Sequence, residues 1–327
     1  MRAAFHLETW PLCQPFTISR DTTRELLVLY CELHRNGRVG RSEAAGVDYH
    51  GETPGGMKRF LEDAVASDTI PWDRFALLER MPAGGARNAI DCALWDLEAR
   101  EQGRRVWELA GIEEPRALRS TYTICLAEPA KMAADVALAP QAAVLKLKLG
   151  GRDGRDVDRV SAVRRRAPEA EIVVDVNEGW SLQELNEAAS PLLRLGVRLI
   201  EQPIPMDQDA ELDGYTGPLP ICADESFSDH SSFATLPPCY SCINIKLDKC
   251  GGLTEALRCA ATARARGLEV FAGNMLGTSL AMAPAFILAQ QCRWADLDGP
   301  LLLSRDRNPG FTFAGSMMEP YSEQLWS

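Results

Sequence analysis

The chain of 327 residues is acidic, with 46 Asp and Glu against 35 Lys and Arg and a formal net charge of −11. A negative surplus of this size excludes proteins that track nucleic-acid phosphates and polybasic proteins of membrane surfaces. Hydrophobic residues make up 46% and charged residues 25% of the chain, which excludes disordered, fibrous and disulfide-stapled classes and provides for a large buried core.

The N-terminal part of the chain predicts a small α+β domain. Residues 24–33 and 37–43 look like two antiparallel strands, and Asn36-Gly37 between them is a favourable hairpin turn. Further along, residues 86–102 carry an apolar stripe at helical spacing. A strand meander followed by helices is therefore expected here.

From residue 119 onward, short apolar strands alternate with amphipathic helices. The predicted strands are residues 121–125, 144–149, 171–177, 198–202, 220–224, 241–247, 268–272 and 293–297, and the helical patterns between them include residues 156–166, 182–195, 253–266 and 279–291. Eight strands separated by helices are typical of a (β/α) barrel. A doubly wound sheet is disfavoured, because no glycine-rich phosphate loop follows an early strand.

The ten cysteines are scattered along the chain rather than clustered. Cys239 and Cys242 have CxxC spacing, but no second pair accompanies them, so the sequence does not predict a zinc site. The uncharged stretch 270–292 contains glycines and a proline and is better explained as a buried strand, a loop and a core helix than as a membrane span. With no apolar leader at the N-terminus, we expect a cytoplasmic protein with reduced thiols.

Charged and polar side chains stand at the ends of most of the predicted barrel strands. The C-terminal ends of barrel strands form the catalytic mouth of such enzymes. Charges are rare inside barrel strands, because these strands are buried on both faces. One such charge could be a solvated loop residue, but a recurrence on six of the eight strands predicts a site. These residues include Lys146, Lys148, Asp175, Asn177, Glu201, Asp224, Lys246, Asp296 and Asp298.

Three carboxylates follow three consecutive strands, namely Asp175, Glu201 and Asp224. Converging carboxylate oxygens suit Mg²⁺, which prefers oxygen ligands and keeps positions for water and substrate. Zinc would prefer nitrogen or sulfur ligands, and none of the four histidines forms a ligand pair.

The lysines of these strands suit proton transfer. Lys146 and Lys148 are two residues apart and point to one face of their strand. We expect the two ammonium groups to lower the pKa of one lysine, so that it can serve as a base near neutral pH. Lys246 lies four predicted strands further on, across the opening. Two bases on opposite sides of a substrate are what a 1,1-proton transfer requires.

The set Lys146-x-Lys148, Asp175, Glu201, Asp224 and Lys246 resembles the enolase superfamily, with the spacing of its muconate-lactonizing subgroup. The resemblance implies a modified (β/α)7β TIM-like barrel of residues 118–307 and an α+β capping domain of residues 1–117, completed by the tail 308–327. It also implies Lys148 and Lys246 as the acid/base pair, Lys146 as their electrostatic partner, the three carboxylates as Mg²⁺ ligands, and a metal-stabilised enediolate. The mandelate-racemase subgroup places a His–Asp dyad on late strands. It fits poorly, because His230, the sole barrel histidine, follows the fifth strand.

Within this subgroup, Asp296-Leu297-Asp298 is similar to the DxD motif of dipeptide epimerases. A pair of carboxylates is a suitable receptor for the N-terminal ammonium of a dipeptide. Residues 273–279, with Met275, resemble epimerases that act on L-alanyl-glutamate, and Thr123 is a further implied substrate-binding residue. In the capping domain, Arg20 matches a loop arginine that holds the γ-carboxylate of the glutamyl residue, and residues 51–53 fall where the second capping loop would be.

The resemblance therefore implies a Mg²⁺-dependent isomerase that inverts the α-carbon of the C-terminal residue of L-alanyl-D/L-glutamate, as in murein peptide recycling. An N-acylamino-acid racemase or o-succinylbenzoate synthase is the alternative, since these enzymes share the barrel residues but generally lack the DxD motif. A non-catalytic homologue is a third reading, although such a protein would have no need to bury lysines. The expected partner is a small dipeptide, with no nucleic acid or membrane. Members of the family are often oligomeric, which leaves a homo-oligomer open.

Overall fold

The computed structural model describes residues 1–327, and its N-terminal part is the predicted α+β unit. Its elements are β1 (Arg2–Thr17), β2 (Thr22–Arg35), β3 (Arg38–Ala44), α1 (Pro54–Ala66), α2 (Arg74–Arg80), α3 (Gly85–Gln102) and α4 (Val106–Leu109). The strands form one antiparallel sheet in the order β1-β2-β3. The predicted turn is confirmed, since Asn36 and Gly37 both have positive φ between β2 and β3.

Strand β1 is the element that the sequence did not predict. Its 16 residues pair with β2 along the sheet edge, and the register shifts between Pro11 and Phe16. A proline is tolerated on an edge strand, because its missing N–H can face away from the sheet. The register shift and the half-exposed face of β1 weaken the alternation of apolar residues by which a strand is recognised.

The barrel consists of eight parallel strands in sequential order, β5 to β12, and it confirms the predicted α/β fold class. After β4 (Leu118–Arg119) come β5 (Tyr122–Ile124), β6 (Val144–Lys148), β7 (Glu171–Asp175), β8 (Val197–Glu201), β9 (Ile221–Ala223), β10 (Tyr240–Lys246), β11 (Glu269–Gly273) and β12 (Trp294–Ala295). A parallel bridge between Ser120 and Ala295 joins the first and last strands. Each strand lies where the sequence predicted it, within one or two residues at its start.

The helices that follow the strands are α5 (Pro129–Asp135), α6 (Asp156–Arg166), α7 (Leu182–Arg194), α8 (Leu247–Cys250), α9 (Leu253–Ala265), α10 (Ser279–Ala289) and α11 (Gly299–Leu302). The longer ones cover the outside of the barrel, whereas the single turns α8 and α11 lie at its mouth. Two connections, Met206–Gly214 and His230–Ala234, are 3₁₀ helices. No helix is long and apolar enough to span a membrane.

The floor of the barrel is apolar and closed. It is formed by a cluster of buried side chains inside the strands, namely Val173, Leu199, Cys222, Cys242, Phe271 and Trp294. Inward-pointing and outward-pointing side chains alternate along each strand. The inward-pointing residues beyond this apolar layer, towards the C-terminal ends of the strands, are polar and face the mouth. Because this apolar layer closes the other end of the barrel, the mouth is its accessible end.

The capping unit rests on this mouth and is joined to the rest of the chain by buried polar contacts. Glu43 at the end of β3 accepts hydrogen bonds from the backbone N of Thr278 at 2.8 Å and from Arg307 Nη2 at 2.6 Å. The last strands, β13 (Phe313–Ala314) and β14 (Met317–Met318), pair with each other, and β14 also pairs with β4. At the C-terminus, Ser327 N donates to Asp96 of α3 at 2.8 Å. These contacts hold the loops of the capping unit over the barrel mouth.

Candidate active site

A cavity of about 260 Å³ lies between the mouth of the barrel and the capping unit. The capping unit contributes the segment around Arg20 and the 3₁₀ turn Asp48–His50. Every predicted lysine and every predicted substrate-binding residue lines this cavity, namely Arg20, Thr123, Lys146, Lys148, Lys246, Met275, Asp296 and Asp298. The fold thus brings together residues that are up to 278 positions apart in the chain.

The three predicted metal ligands meet beside this cavity. Asp175 and Glu201 are the last residues of β7 and β8 and are paired in register, and Asp224 follows β9 directly. One carboxylate oxygen from each residue lies within 4.8 Å of the others, and all three side chains are buried. The in-register strand ends place Asp175 and Glu201 at one level, and Asp224 lies two residues beyond Cys222, the partner of Glu201 on β9.

The chemistry of this cluster fits a bound cation. Asn244 Nδ2 donates to Glu201 Oε1 at 2.7 Å, whereas Glu201 Oε2 is buried and accepts no hydrogen bond. Lys146 Nζ lies 2.8 Å from that oxygen, an ion-pair distance without hydrogen-bond geometry. Burial and the neighbouring Asp175 raise the pKa of Glu201 to about 8. The oxygen without a hydrogen bond is available to a cation such as Mg²⁺, which would also offset the repulsion between the neighbouring carboxylates.

Two lysines occupy opposite walls of the barrel. Lys148 Nζ at the end of β6 lies 2.6 Å from Asp175 Oδ2, and Lys246 Nζ at the end of β10 lies 2.6 Å from Asp224 Oδ2. Strands β6 and β10 are four positions apart in the eight-stranded order, so the two amines face each other across the cavity. A substrate carbon between them would be accessible to a base on each of its two faces.

Of the two neighbouring lysines on β6, Lys146 is not the one with a lowered pKa. Burial by itself lowers the pKa of Lys146, but the carboxylates of Asp296, Glu201 and Asp175 outweigh it and raise the pKa well above its usual value. The nearest of them, Asp296 Oδ2, lies 2.7 Å from Lys146 Nζ. These carboxylates therefore favour the charged form of Lys146.

The two aspartates that follow β12 have different environments. Asp296 pairs with Lys146 and accepts a hydrogen bond from Thr121 Oγ1 at 2.7 Å. Burial would raise its pKa, but Lys146 and Lys148 lower it below the usual value. Asp298 Oδ2 accepts one hydrogen bond, from Thr123 N at 2.6 Å, and burial together with Asp296 raises its pKa to about 7. Of these two aspartates, only Asp298 thus has no cationic partner from the protein.

The capping loops contribute one cation and one aromatic ring to the cavity. Arg20 Nη1 lies 2.8 Å from Glu225 Oε1, and the guanidinium carbon lies 5.0 Å from the ring centroid of Tyr49. Of the predicted second capping loop, Glu52 faces away from the cavity and accepts hydrogen bonds from Gly85 N at 2.8 Å and Ala86 N at 3.2 Å. None of the predicted residues 51–53 lines the cavity; the segment just before them does so instead, with Asp48 and Tyr49.

One buried lysine of the site, Lys249, was not predicted from the sequence. Lys249 Nζ lies 2.6 Å from Asp224 Oδ1 and 3.2 Å from the backbone oxygen of Asn244. Burial would raise the pKa of Asp224, but Lys246 and Lys249 lower it well below its usual value. Lys249 lies in the short helix α8, and no strand pattern marks its position. A lysine in one helical turn reads as a surface charge unless the fold shows it buried.

Both parts of the chain match known protein families. Residues 1–111 match the family described as mandelate racemase / muconate lactonizing enzyme, N-terminal domain, and residues 128–307 match the family described as enolase C-terminal domain-like.

Two curated relatives and one solved structure resemble most of the chain. The L-Ala-D/L-Glu epimerase of Escherichia coli (strain K12) is 39% identical over 306 residues, 94% of this chain and 95% of the relative. The N-acetyl-D-glutamate racemase of a Pseudoalteromonas species is 41% identical over 250 residues, 76% of this chain and 78% of the relative. A crystal structure of an enolase family member from Agrobacterium tumefaciens, with homology to dipeptide epimerases and with bound sodium and L-Ala-L-Glu, is 41% identical, has a TM-score of 0.95 and covers 99% of both chains.

Proposed function

The chain belongs to the mandelate racemase/muconate lactonizing enzyme family of the enolase superfamily, and from this premise we propose that it is a dipeptide epimerase. Its substrate would be L-alanyl-D/L-glutamate, inverted at the α-carbon of the glutamyl residue. The observation that carries this proposal is Asp298, a buried carboxylate in the cavity wall that has no cation of its own. An N-terminal ammonium group of the substrate would supply that cation.

In this proposal the reacting carbon lies between Lys148 and Lys246. One amine in its neutral form takes the α-proton from one face, and the other ammonium gives a proton to the opposite face, with the roles exchanged for the reverse reaction. Lys146 remains charged, because Asp296, Glu201 and Asp175 surround it. It therefore acts as a fixed positive charge beside the substrate carboxylate rather than as a base.

Asp175, Glu201 and Asp224 would hold Mg²⁺. The ion would supply positive charge where the C-terminal carboxylate of the substrate gains negative charge on loss of the α-proton. Asn244 and Lys249 each take one oxygen of a ligand carboxylate, at 2.7 Å from Glu201 Oε1 and 2.6 Å from Asp224 Oδ1. Asn244 thereby leaves Glu201 Oε2 without a hydrogen bond, whereas the other oxygen of Asp224, Oδ2, lies 2.6 Å from Lys246 Nζ. These contacts hold the two carboxylates in place.

The second candidate is an N-acylamino-acid racemase, and one observation favours it. Asp296 is committed to Lys146, so a single carboxylate rather than a pair is available for an ammonium group. Asp298, with a pKa raised to about 7, could also accept a hydrogen bond from an N-acyl amide. The relative named N-acetyl-D-glutamate racemase is an example of an enzyme named for such an N-acyl substrate. An o-succinylbenzoate synthase would likewise bind a substrate without an ammonium group.

A direct comparison of substrates in D₂O decides between these candidates. The protein is incubated with Mg²⁺ and either L-alanyl-L-glutamate or N-acetyl-L-glutamate, and loss of the α-proton signal is followed by NMR. We expect kcat/KM for the dipeptide to exceed that for the N-acetyl amino acid. The reverse order would replace the epimerase by the racemase, and exchange with neither compound would support the non-catalytic homologue.

Replacement of Asp298 by asparagine tests the receptor for the ammonium group. A hydrogen bond between charged partners contributes about 1.5–3 kcal/mol, so we expect Asp298→Asn to lower kcat/KM for L-alanyl-L-glutamate roughly 10- to 100-fold. Mg²⁺ binding, measured by calorimetry, should stay unchanged, because Asp298 does not contact the three carboxylates. N-acetylation of the dipeptide should harm the wild type much more than the variant. Equal losses in both proteins would contradict the assignment.

The carboxyl group of Asp298 also predicts how kcat/KM depends on pH. Asp298 must be ionised to pair with an ammonium group, and its pKa is raised to about 7 by burial and Asp296. We therefore expect kcat/KM for the dipeptide to rise between about pH 6 and 8 and to fall above it, where the α-amino group of the substrate, with a pKa of about 8, loses its proton. Asp298→Asn should lose the acidic limb near pH 7. A limb that persists unchanged in this variant would assign it to another group.

We also propose that the enzyme acts in the cytoplasm, in the recycling of murein peptides, and that it forms a homo-oligomer. The ten cysteines are all free thiols, which supports a reducing compartment. The proposed substrate, L-alanyl-glutamate, is the dipeptide that links the enzyme to murein peptides. Light scattering coupled to size-exclusion chromatography measures the assembly directly.

A further inference from the structure

The two lysines proposed as acid and base have unequal sets of hydrogen-bond partners. Lys148 Nζ donates to Asp175 Oδ2 at 2.6 Å and to Asn177 Oδ1 at 3.2 Å. Lys246 Nζ donates to one protein oxygen, Asp224 Oδ2, at 2.6 Å. Asp175 and Asp224 both belong to the carboxylate cluster, whereas Asn177 does not. The additional bond to Asn177 therefore distinguishes the environment of Lys148 from that of Lys246.

The orientation of a neutral lysine decides whether it can remove a proton. The nitrogen of a neutral amine carries two N–H bonds and a single lone pair, and the lone pair points towards a substrate carbon only when the N–H bonds point elsewhere. Asp175 and Asn177 offer two acceptors for the two N–H bonds of Lys148. Both acceptors come from the end of β7 and the two residues after it, on one side of Lys148. They thus leave the lone pair for the cavity, where a misaligned base would react slowly.

The side-chain amide of Asn177 has one orientation that satisfies its neighbours. Its Nδ2 donates to Glu225 Oε1 at 3.3 Å, and that carboxylate oxygen can only accept. Its Oδ1 faces Lys148, whose ammonium form can only donate. Glu225 is itself fixed by Arg20 Nη1 at 2.8 Å. A rotation of the amide would break the bond to Lys148 and the bond to Glu225 together.

The backbone of Asn177 is also held in place. Its φ of 45° lies in the left-handed region, which asparagine tolerates better than most residues with a side chain. Its N donates to Asp175 Oδ1 at 3.0 Å, and its O accepts a hydrogen bond from Ser19 Oγ of the capping unit at 2.8 Å. Contacts from both parts of the chain therefore preorganise the acceptor before a substrate binds.

These contacts separate what the backbone does from what the side chain does. A glycine would adopt the same φ without strain, and it would keep the backbone bonds to Asp175 and Ser19. The side chain of Asn177 alone supplies the bonds to Lys148 and Glu225. Its chemical contribution is therefore directed at Lys148.

We infer that Asn177 is a positioning residue for Lys148: its Oδ1 holds one N–H bond of the amine, so that the lone pair faces the α-carbon of the substrate. The inference rests on the proposed function and extends it, since it gives one of the two bases an orienting group that the other lacks. Loss of the amide should slow proton transfer on the face of Lys148 and leave the face of Lys246 unaffected.

The variant Asn177→Gly removes the amide and keeps the left-handed backbone. It is introduced into Lys246→Ala, where Lys148 is the remaining base, and into Lys148→Ala, where Lys246 remains. Exchange of the α-proton of L-alanyl-L-glutamate and L-alanyl-D-glutamate in D₂O is followed by NMR. We expect exchange to slow roughly 10- to 100-fold in the first background and less than about threefold in the second.

Asn36→Gly is the matched control for these double variants. Asn36 also has a positive φ, of 51°, but it lies exposed in the hairpin turn of the capping sheet. This substitution should change the exchange rate in neither background. Asn177→Ala, which removes the same amide, should reproduce the dependence on the face, and circular dichroism checks that each variant is folded.

Primary isotope effects give a second measurement in an enzyme that keeps both lysines. The effect on kcat/KM is measured for Asn177→Gly with both diastereomers deuterated at the α-carbon. It should increase for the diastereomer whose α-hydrogen Lys148 removes, because that removal becomes slower relative to the later step. It should decrease for the other diastereomer, because slow protonation by Lys148 then follows the removal. Changes of the same sign in both directions would contradict the inference.

The remaining outcomes separate a positioning role from other roles of Asn177. Equal slowing of exchange on both faces, or a raised KM with unchanged exchange at saturation, would assign the residue to substrate binding and overturn the inference. Weaker Mg²⁺ binding in calorimetry would also overturn it, because Asn177 would then act through Asp175. These results leave the epimerase assignment intact. Failure of the wild type to exchange the α-proton of L-alanyl-L-glutamate would overturn both.

Discussion

Alanine in place of Lys148 or of Lys246 is expected to abolish epimerisation of L-alanyl-glutamate. Inversion requires removal of a proton on one face and delivery on the other, and the two amines lie on β6 and β10, on opposite walls of the barrel. A positioned acid or base contributes about 10²- to 10⁴-fold, so the loss in either single variant should reach at least roughly 10³-fold. Polarimetry or chiral chromatography of the products measures the inversion.

Isotope exchange distinguishes a two-base mechanism from simple inactivation. In D₂O each single variant should still exchange the α-proton of the one diastereomer whose proton faces the remaining lysine, without inverting it. Lys58→Ala is the control, because Lys58 is a surface residue that pairs with Glu62 on α1. Circular dichroism checks the fold, since loss of Lys148 or Lys246 leaves Asp175 or Asp224 with one cation fewer. Efficient inversion by either variant would refute the assignment.

Removal of the divalent metal is expected to eliminate activity, and added Mg²⁺ should restore it. Three buried carboxylates with oxygens within 4.8 Å of one another repel each other unless a cation lies among them. Asp224→Asn keeps the size of the side chain but removes a ligand charge and should cost several orders of magnitude in kcat. Isothermal calorimetry should show weaker Mg²⁺ binding in this variant, and Asp207→Asn, at an exposed position outside the cluster, is the control. Full turnover in excess chelator would show that the carboxylates have another role.

The sequence by itself predicted the barrel and the main residues at its mouth. Buried parallel strands are nearly continuous apolar runs, so a charge such as Asp175 or Glu201 at the end of a run is conspicuous. The eight strands occur in chain order in the sheet, and their C-terminal ends meet at one level whatever the loops contain. This regularity is why Lys148 and Lys246 could be expected on opposite walls before any distance was known.

The tertiary structure alone decided the charge state and the partners of these residues. The sequence indicated only that one of the two lysines on β6 would have a lowered pKa. Closure of the barrel brings Asp296, 150 positions away, within 2.7 Å of Lys146 and thereby raises the pKa of Lys146. The same pairing leaves Asp298 as the free carboxylate of the DxD motif. Lys249 lies in a one-turn helix without periodicity, and only its burial against Asp224 shows that it belongs to the site. Local pattern determines which strands form, but electrostatic energy depends on distances across the closed barrel, and those distances exist only in the folded chain.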